Sequence, residues 1–245
     1  MTRVSSTNYD VVIPAFNAAA TLGETLATVF AQTITPARVI VVDDGSTDAT
    51  AQIALSAGAE VLSQANRGPG TATTLGMAAA TSPFLAFVDA DDLWLAHKME
   101  RQLEVLAATE ELAAVVSLQR QFRHGNLDDG TGEVRRGLTR SSLALPLKLA
   151  LQVGVMEDMP GRRGEMIEWL QRARDIGMRL IEMPEVLVLR RSTPGSLSSG
   201  RDADRDRGYL AVAHAATLRN RQRIAKAAAS QPQTDRSRDE NGKKP

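Results

Sequence analysis

The stretch that decides the fold is Phe84–Asp92, which reads Phe-Leu-Ala-Phe-Val-Asp-Ala-Asp-Asp. Its first five residues are apolar, and a short apolar run is typical of a strand buried on both faces of a parallel sheet. Three carboxylates follow within four residues. They are therefore expected at the carboxyl end of that strand, where open α/β sheets bind their ligands. Asp89 and Asp91 are two residues apart, so their side chains project to the same side of an extended backbone.

Two converging carboxylates offer hard oxygen ligands, which suit Mg2+ or Mn2+ bound together with a substrate phosphate. The alternative is structural, with Asp91 or Asp92 capping a helix that starts near Trp94. This stretch alone does not separate the two interpretations. The rest of the chain favours the metal.

The composition limits the possible size of the domain, the kinds of partner and the kinds of metal site. The chain has 245 residues, of which 43% are hydrophobic, so it suits one large domain or a domain with an appendage. Its formal net charge is +0, which gives no reason to expect a nucleic acid partner. There is no cysteine, hence no disulfide framework and no thiolate metal site.

The sequence also bears on location. The first nine residues are polar and lack the apolar core of a signal peptide. No uninterrupted apolar run approaches the length of a transmembrane helix. We therefore expect a cytoplasmic protein with peripheral membrane contact at most.

Strand and helix patterns alternate through the first half. Apolar runs predict strands at Asp10–Pro14, Val39–Val42 and Glu60–Leu62, before the strand that leads into Asp89. The helices between them carry start and stop signals: a capping box at Thr21 and Glu24, a cap at Ser46 or Thr47, a closing Gly58, and an Ala-rich run to about Ala80. This alternation predicts a doubly wound, mainly parallel sheet flanked by helices. Glycine-rich nucleotide fingerprints of the Rossmann or Walker type are absent.

Four blocks now occur in order: residues 11–17 (Val-Val-Ile-Pro-Ala-Phe-Asn), 41–48 (Val-Val-Asp-Asp-Gly-Ser-Thr-Asp), 66–70 (Asn-Arg-Gly-Pro-Gly) and 87–94 (Phe-Val-Asp-Ala-Asp-Asp-Leu-Trp). Together they resemble the signature of family 2 glycosyltransferases with the GT-A fold, over roughly residues 9–107. The resemblance implies a nucleotide-sugar donor, a divalent metal (Mn2+ or Mg2+) and inversion at the anomeric carbon of the sugar.

The resemblance also implies a role for each matching residue. Pro14 and Ala15 line the base pocket, Asp43 or Asp44 accepts a hydrogen bond from the base or ribose, Arg67 contacts the nucleotide, Asp89 meets the ribose, and Asp91, with Asp89 beside it, binds the metal. The chemistry agrees, because a diphosphate leaves more easily when a cation neutralises its growing charge. Taken alone, Asp43–Gly45 is also typical of a turn, and Arg67 of a solvated loop charge.

The second half begins with less regular patterns. We predict a strand at Ala113–Leu118, a mobile loop at His124–Gly137 and closing strands at Arg179–Ile181 and Val186–Leu189. The fold of the apolar stretch Leu143–Val155, which contains a proline, is left open.

The second half also supplies the candidate base. An amphipathic helix is predicted from Gly164 to about Gly177. In family 2 the catalytic base usually lies in a Glu-Asp pair at the start of such a helix, whereas this chain has Glu165–Met166. We therefore expect Glu165 to be the base, with Glu168, its i,i+3 neighbour, as second choice. The alternative is that Glu165 is a first-turn charge favoured by the helix dipole.

A second departure lies in the segment that resembles the closing loop of the family, Arg190–Ser198. Relatives often have a metal-ligating His where Thr193 or its neighbour stands. Arg191, together with Arg190, is expected to clamp phosphate, and the alternative is a solvated strand end. Metal binding then rests on Asp91, the diphosphate and water.

We expect residues 1–8 to be a flexible N-terminus, 9–200 a single GT-A domain with a nucleotide-sugar half (9–107) and an acceptor half (108–200), 201–229 a helical region and 230–245 a disordered tail. The expected function is transfer of a sugar from a UDP- or other NDP-sugar to an acceptor hydroxyl on a glycan, lipid-linked sugar, peptide or small molecule. The alternative is a catalytically degenerate nucleotide-sugar-binding protein of the same fold. A sugar nucleotidyltransferase is disfavoured by the missing glycine-rich phosphate loop.

Overall fold

The computed structural model describes residues 8–109, 112–126, 128–159, 164–192, 211–219 and 221. The strands are β1 (Tyr9–Ala15), β2 (Arg38–Asp43), β3 (Glu60–Ser63), β4 (Phe84–Phe87), β5 (Leu93–Trp94), β6 (Ala113–Arg123), β7 (Val134–Arg136), β8 (Ala144–Pro146) and β9 (Arg179–Ser192). The helices are α1 (Leu22–Phe30), α2 (Thr50–Ser56), α3 (Pro69–Ala79), α4 (Lys98–Ala107), α5 (Leu147–Val153) and α6 (Glu165–Asp175), and a 3-10 turn spans Arg140–Ser142. Residues 211–219 are also helical.

All nine strands of the described residues belong to one sheet, in the order β3-β2-β1-β4-β8-β6-β9-β5, with β7 paired to β6. The first four strands are parallel, as predicted. The second half is mixed, because β8 runs antiparallel to both β4 and β6 while β9 runs parallel to β6. Only residues 124–133 join β6 to its antiparallel partner β7, which is shorter than the crossover that a parallel pair requires.

The strands β1, β2 and β4 are buried on both faces of the sheet, which explains their continuous apolar runs. Alternate residues of β1 point to opposite faces: Val11 and Ile13 pack with α1, α2 and α4, whereas Val12 packs with α3, α5 and α6. The described residues therefore form three layers, and the carboxyl ends of β1, β2 and β4 lie at one edge of the sheet because these strands are parallel.

The predicted capping box of α1 is wrong. Thr21 does precede the helix, but its hydroxyl makes no cap bond and instead donates to Ala90 O at 2.9 Å. Glu24 pairs with Arg191 rather than with the helix terminus. Tertiary partners have replaced the local ones at both positions.

Two other helices begin at residues different from those predicted. The helix expected near Trp94 begins at Lys98, because Leu93 and Trp94 pair with β9 as a short strand. Asp91 and Asp92 therefore do not cap a helix. Helix α2 begins at Thr50 and is not capped by Ser46 or Thr47.

The predicted pair of closing strands is one strand, β9, with irregular pairing near Leu118 of β6. The predicted mobile loop after His124 contains β7, which pairs with β6. The stretch left open, Leu143–Val155, contains β8 and α5.

Several predictions fall on residues that the structure does not describe. These are residues 1–7, most of 201–229 and the whole of 230–245. Among the described residues, no helix is both long and apolar enough to cross a bilayer.

Candidate active site at the carboxyl edge of the sheet

The residues Asp89–Asp92, which we call the acidic loop, follow β4 at the carboxyl edge of the sheet. Asp89 Oδ1 accepts a hydrogen bond from Arg140 Nε at 2.8 Å, and the Asp89 side chain is 30% exposed. Asp92 is buried, and its two oxygens accept from Arg191 N at 3.0 Å and Ser141 Oγ at 2.5 Å. Within the described part of the chain, no other residue hydrogen-bonds to the Asp91 carboxylate. Asp91 is thus the carboxylate of this loop that is left for a ligand.

The loop concentrates negative charge in a poorly solvated place. Burial and the neighbouring Asp89 carboxylate raise the pKa of Asp91 to about 6. Burial, with Asp91 and Asp89 nearby, raises the pKa of Asp92 well above its usual value. A bound cation would relieve this repulsion.

The fit of a metal can be judged from these donors. No group of three or more His, Cys, Asp or Glu among the described residues is arranged to hold a metal ion. An all-protein metal cage is therefore absent from that part of the chain. One free carboxylate beside a half-exposed one fits the other binding mode of Mg2+, in which one or two carboxylates act with substrate phosphates and water.

Arg140, on the 3-10 turn, was missed by the sequence analysis. Its guanidinium, in a side chain only 9% exposed, joins Asp89 to Glu165, whose Oε1 lies 3.3 Å from Arg140 Nη2. Burial disfavours its charge, yet the Asp89 and Glu165 carboxylates outweigh burial and raise the pKa of Arg140. No pattern in the sequence pairs Arg140 with residues 51 and 25 positions away. Its position beside a Ser-Ser pair and an apolar run was the only signal.

The two candidate bases have different surroundings. Glu165 is buried at the start of α6, and burial raises its pKa although Arg140 opposes this. Glu168 is also buried, but it is paired with Arg172 at 2.9 Å and with Arg219 of the C-terminal helical segment at 2.8 Å. Met166, at the Asp position of the family, packs in the core against the α3–α5–α6 face of the sheet. Of the two glutamates, Glu165 is the one that joins the acidic loop through Arg140.

The loop after β2 contains the Asp43–Asp44 pair. Asp44 is buried, and both of its carboxylate oxygens accept hydrogen bonds from the protein. Oδ1 accepts from Gln64 Nε2 (2.7 Å) and Arg67 N (2.8 Å), and Oδ2 accepts from Gly68 N (2.8 Å). Asp43 accepts from Ser46 N at 3.0 Å through Oδ1, and its Oδ2 has no hydrogen bond from a described residue. Asp44 therefore shapes the loop, and Asp43 retains an oxygen for a ligand.

By accepting from the Arg67 backbone N–H, Asp44 holds the backbone from which the Arg67 side chain projects. The Arg67 side chain is exposed and forms no hydrogen bond or ion pair with the described residues. The same loop is held by Asp158, from the second half of the chain, which accepts from Gly70 N, Thr71 N and Thr71 Oγ1, each at 2.8 Å. Gly68 must be glycine here, because its φ is +104° and a Cβ would lie 2.5 Å from the Asp158 carboxylate.

The end of β1 differs from the expectation in detail. Pro14 and Ala15 are buried within the strand, whereas the next residue, Phe16, is 43% exposed at the sheet edge. Asn17 adopts φ +48°, and its backbone N–H donates to Ser46 Oγ at 2.9 Å. This hydrogen bond connects the turn to the loop after β2. An exposed aromatic ring beside the first two strand ends is a second feature that the sequence analysis missed.

The Arg191 side chain is buried against the acidic loop and is not exposed at the carboxyl edge of the sheet. Its side chain is 2% exposed: Nε donates to Asp91 O at 2.8 Å, Nη2 to Glu24 at 2.5 Å, and the guanidinium lies 4.7 Å from the Phe122 ring centroid. Arg191 thus supports the acidic loop from beneath. Arg190 is half-buried, and its side chain forms no hydrogen bond to a described residue. Its positive charge acts to lower the pKa of Asp91, against the effects of burial and of Asp89. Thr193 lies outside the described residues.

Two solved structures share the fold of this chain. S. aureus TarS 1-349 in complex with UDP-GlcNAc superposes with a TM-score of 0.70 at 17% identity, covering 86% of this chain and 66% of that chain. Glucosyl-3-phosphoglycerate synthase from Mycobacterium tuberculosis, in complex with Mn2+, UDP and phosphoglyceric acid, superposes with a TM-score of 0.55 at 21% identity, covering 76% and 72%. These likenesses establish the fold, which is the GT-A fold of both neighbours.

Sequence relatives match the first half. An uncharacterised glycosyltransferase from Nostoc sp. is 37% identical over 106 residues, covering 41% of this chain and 33% of the relative. The succinoglycan biosynthesis protein ExoU from Rhizobium meliloti is 31% identical over 137 residues, covering 52% and 40%. The chain thus matches between a third and two fifths of the length of these curated relatives.

A sequence model described as glycosyl transferase family 2 matches residues 10–156, more than half of the chain. The match includes the strands β1, β2 and β4 and the acidic loop, and it ends shortly before α6. The chain therefore belongs to glycosyl transferase family 2.

Proposed function

We propose that the protein transfers a sugar from a nucleotide-sugar donor to an acceptor hydroxyl, with inversion at the anomeric carbon and with the assistance of Mn2+ or Mg2+. The observation that carries the proposal is the free Asp91 carboxylate beside the Asp89–Arg140–Glu165 bridge. Asp91 would supply an oxygen ligand to a metal ion bound to the donor phosphates, and Arg140 joins the neighbouring Asp89 to the buried carboxylate of Glu165.

The donor would lie across the ends of β1, β2 and β4. Phe16 would stack on the base and Asp43 would accept a hydrogen bond from base or ribose, with Pro14 and Ala15 forming the floor beneath. Arg67 would contact the nucleotide and Arg190 the phosphates. A uridine nucleotide is the first choice, because the two structural neighbours were crystallised with UDP-GlcNAc or UDP.

Asp91 would hold the metal together with diphosphate oxygens, and Asp89 lies close enough to contribute. When bound, the metal supplies positive charge against the leaving diphosphate. Asp92 and Arg191 would keep the loop in place, since both are fully engaged by the protein.

Glu165 would accept the proton of the acceptor hydroxyl. The acceptor oxygen then forms a bond to the anomeric carbon while the bond from that carbon to the diphosphate breaks. The raised pKa of Glu165 suits a base, because a carboxylate with a higher pKa holds a proton more strongly. Arg140 would fix its orientation. Glu168 would serve as a structural ion-pair partner, because it is already paired twice.

A second candidate is a nucleotide-sugar-binding protein without transfer activity. The observation that favours it is Met166, an apolar core residue where relatives carry a carboxylate. It shares the donor site with the first proposal and differs only in the base.

The test is to incubate the purified protein with a panel of nucleotide sugars and Mn2+, with and without candidate acceptors, and to measure nucleoside diphosphate release. We expect release with one donor, and we expect Asp91→Asn to lower kcat/KM by about a hundredfold or more. The matched control is Asp129→Asn, because Asp129 is an exposed carboxylate bonded to its own turn.

The outcomes separate the two candidates. Equal release by wild type and Asp91→Asn would refute the metal role of Asp91. Tight donor binding without release, even with acceptors, would favour the binding protein. Unchanged turnover in Glu165→Gln would remove Glu165 as the base, and an axial-to-equatorial change followed by NMR would report inversion.

A further inference from the structure

We propose that Ser141 is a positioning residue that holds both ends of the acidic loop in the geometry needed for metal and donor binding. The inference rests on the proposed function, because it concerns how the Asp91 carboxylate of that site is presented. Ser141 lies 50 residues beyond Asp91 in sequence, and neither the family match nor any sequence pattern marks it.

One hydroxyl contacts the loop twice. Ser141 Oγ accepts a hydrogen bond from Asp89 N at 3.1 Å and donates one to Asp92 Oδ2 at 2.5 Å. The first contact fixes the backbone at the start of the loop and the second fixes the side chain at its end. A direct bond from Asp92 N to Asp89 O, 3.1 Å, closes the turn between them. Asp91 is the residue carried across this turn, with its carboxylate free.

Ser141 is itself held rigidly. It is fully buried, and its carbonyl accepts from Trp94 Nε1 at 2.8 Å. The next carbonyl of the 3-10 turn, Ser142 O, accepts from Gln102 Nε2 at 2.7 Å. Indole and amide donors from β5 and α4 thus fix the turn, and the turn fixes the loop.

The chemistry of a serine hydroxyl explains the choice of residue. A hydroxyl donates one hydrogen bond and accepts others at the same oxygen. It therefore satisfies the Asp89 N–H and the buried Asp92 carboxylate together. Alanine at this position leaves both groups without that partner, and a buried carboxylate that loses a hydrogen bond is costly.

Ser142 provides the matched control. It is a buried serine in the same 3-10 turn, but its hydroxyl donates to Gly137 O, with Thr139 O as a second carbonyl 3.1 Å away, and it does not contact the acidic loop. Ser142→Ala therefore removes the same atom from the same turn without removing a loop contact.

The first measurement needs no nucleotide. Amide hydrogen exchange of the full chain is compared for wild type, Ser141→Ala and Ser142→Ala under conditions where all three are folded. We expect exchange across residues 89–92 to accelerate about tenfold in Ser141→Ala, the factor expected for losing about one hydrogen bond, and to stay near wild type in Ser142→Ala. Equal exchange in the two variants, or unchanged exchange in Ser141→Ala, overturns the proposal.

The second measurement is UDP binding as a function of Mn2+ concentration. We expect Ser141→Ala to need about ten times more Mn2+ for half-saturation, with Ser142→Ala unchanged. If wild type binds UDP with Mn2+ and Ser141→Ala requires no more Mn2+, this inference fails while the proposed function stands. If wild type binds neither UDP nor another nucleoside diphosphate with Mn2+, the proposed function itself fails, and the ligand-positioning role of Ser141 fails with it.

Discussion

Arg140 is the residue whose importance only the folded chain reveals. It holds two carboxylates in a place from which water is largely excluded, and each carboxylate belongs to a different half of the protein. The motif residues Asp43, Asp44, Asp89 and Asp91 were predicted from sequence because they stand at the ends of apolar strands in blocks that resemble a family signature. Arg140 has no such signal, since its partners are defined by the packing of a 3-10 turn against β4 and α6.

We predict that Arg140→Lys lowers kcat by about 10- to 100-fold while the protein still unfolds in one transition. Lysine keeps the charge but cannot direct separate donors to Asp89 and Glu165 as a guanidinium does. Steady-state kinetics and urea unfolding would measure the two effects. Arg136→Lys is the control, because Arg136 is an exposed arginine paired with Glu182. Wild-type kcat in Arg140→Lys would mean that a single point charge suffices.

At the scale of elements, the close approach of α3 to β1 fixes the position of the loop that carries Arg67, which directly precedes α3. Gly76 of α3 faces the sheet, and a Cβ at this position would lie 2.3 Å from Val12 Cγ1. The helix therefore packs closer than any side chain would allow. Its first turn, which carries the loop with Arg67, is set by this contact and by Asp158.

We predict that Gly76→Ala destabilises the protein by about 1–3 kcal/mol, because overpacking outweighs the gain in helix propensity. Gly23→Ala in α1 is the matched control, since a Cβ there meets only Ile53 Cγ2 at 3.9 Å. That control is expected to be neutral or to stabilise by about 0.5–1 kcal/mol. Urea denaturation measures both, and equal effects of the two substitutions would show that helix–sheet distance is not limiting.

Sequence reasoning succeeded for elements with strong periodicity and failed where tertiary contacts compete with local ones. The strands β1, β2 and β4 were found because each contains a continuous apolar run. The capping box at Thr21 failed because the carbonyl of Ala90, distant in sequence, offered a better acceptor. Strand β5 was read as the start of a helix because two residues carry no periodicity, and only pairing with β9 defines it.

At the scale of the whole molecule, a buried lysine links stability to pH. Lys98 is fully buried; its Nζ lies 3.9 Å from the Trp94 ring centroid and donates to Gln102 Oε1 at 2.7 Å. Burial lowers its pKa well below the ordinary value. Between the lowered pKa of the folded lysine and the ordinary pKa of the unfolded one, the unfolded chain binds a proton that the folded protein does not, so stability rises with pH across that range.

We predict that the free energy of unfolding increases from pH 7 toward pH 10, by up to about 1.4 kcal/mol per pH unit for one proton. Above that range burial of Tyr9, which raises its pKa, reverses the trend, because the unfolded tyrosine ionises first. Lys98→Met should remove the rise between pH 7 and 10, and Lys148→Met, at an exposed site, should retain it. Urea unfolding at three pH values is the measurement, and a slope shared by both variants would assign it to other groups.

The three hydrogen bonds that Asp158 accepts from Gly70 and Thr71 have a consequence for how the chain folds during synthesis. The region matched by the family ends at residue 156, two positions short of Asp158. A ribosome-bound chain that has emerged only as far as residue 156 therefore lacks the carboxylate that holds the Gly70–Thr71 backbone. We expect a fragment that stops at residue 156 to form the parallel sheet but to leave the first turn of α3 frayed, so that this turn orders only when Asp158 has emerged.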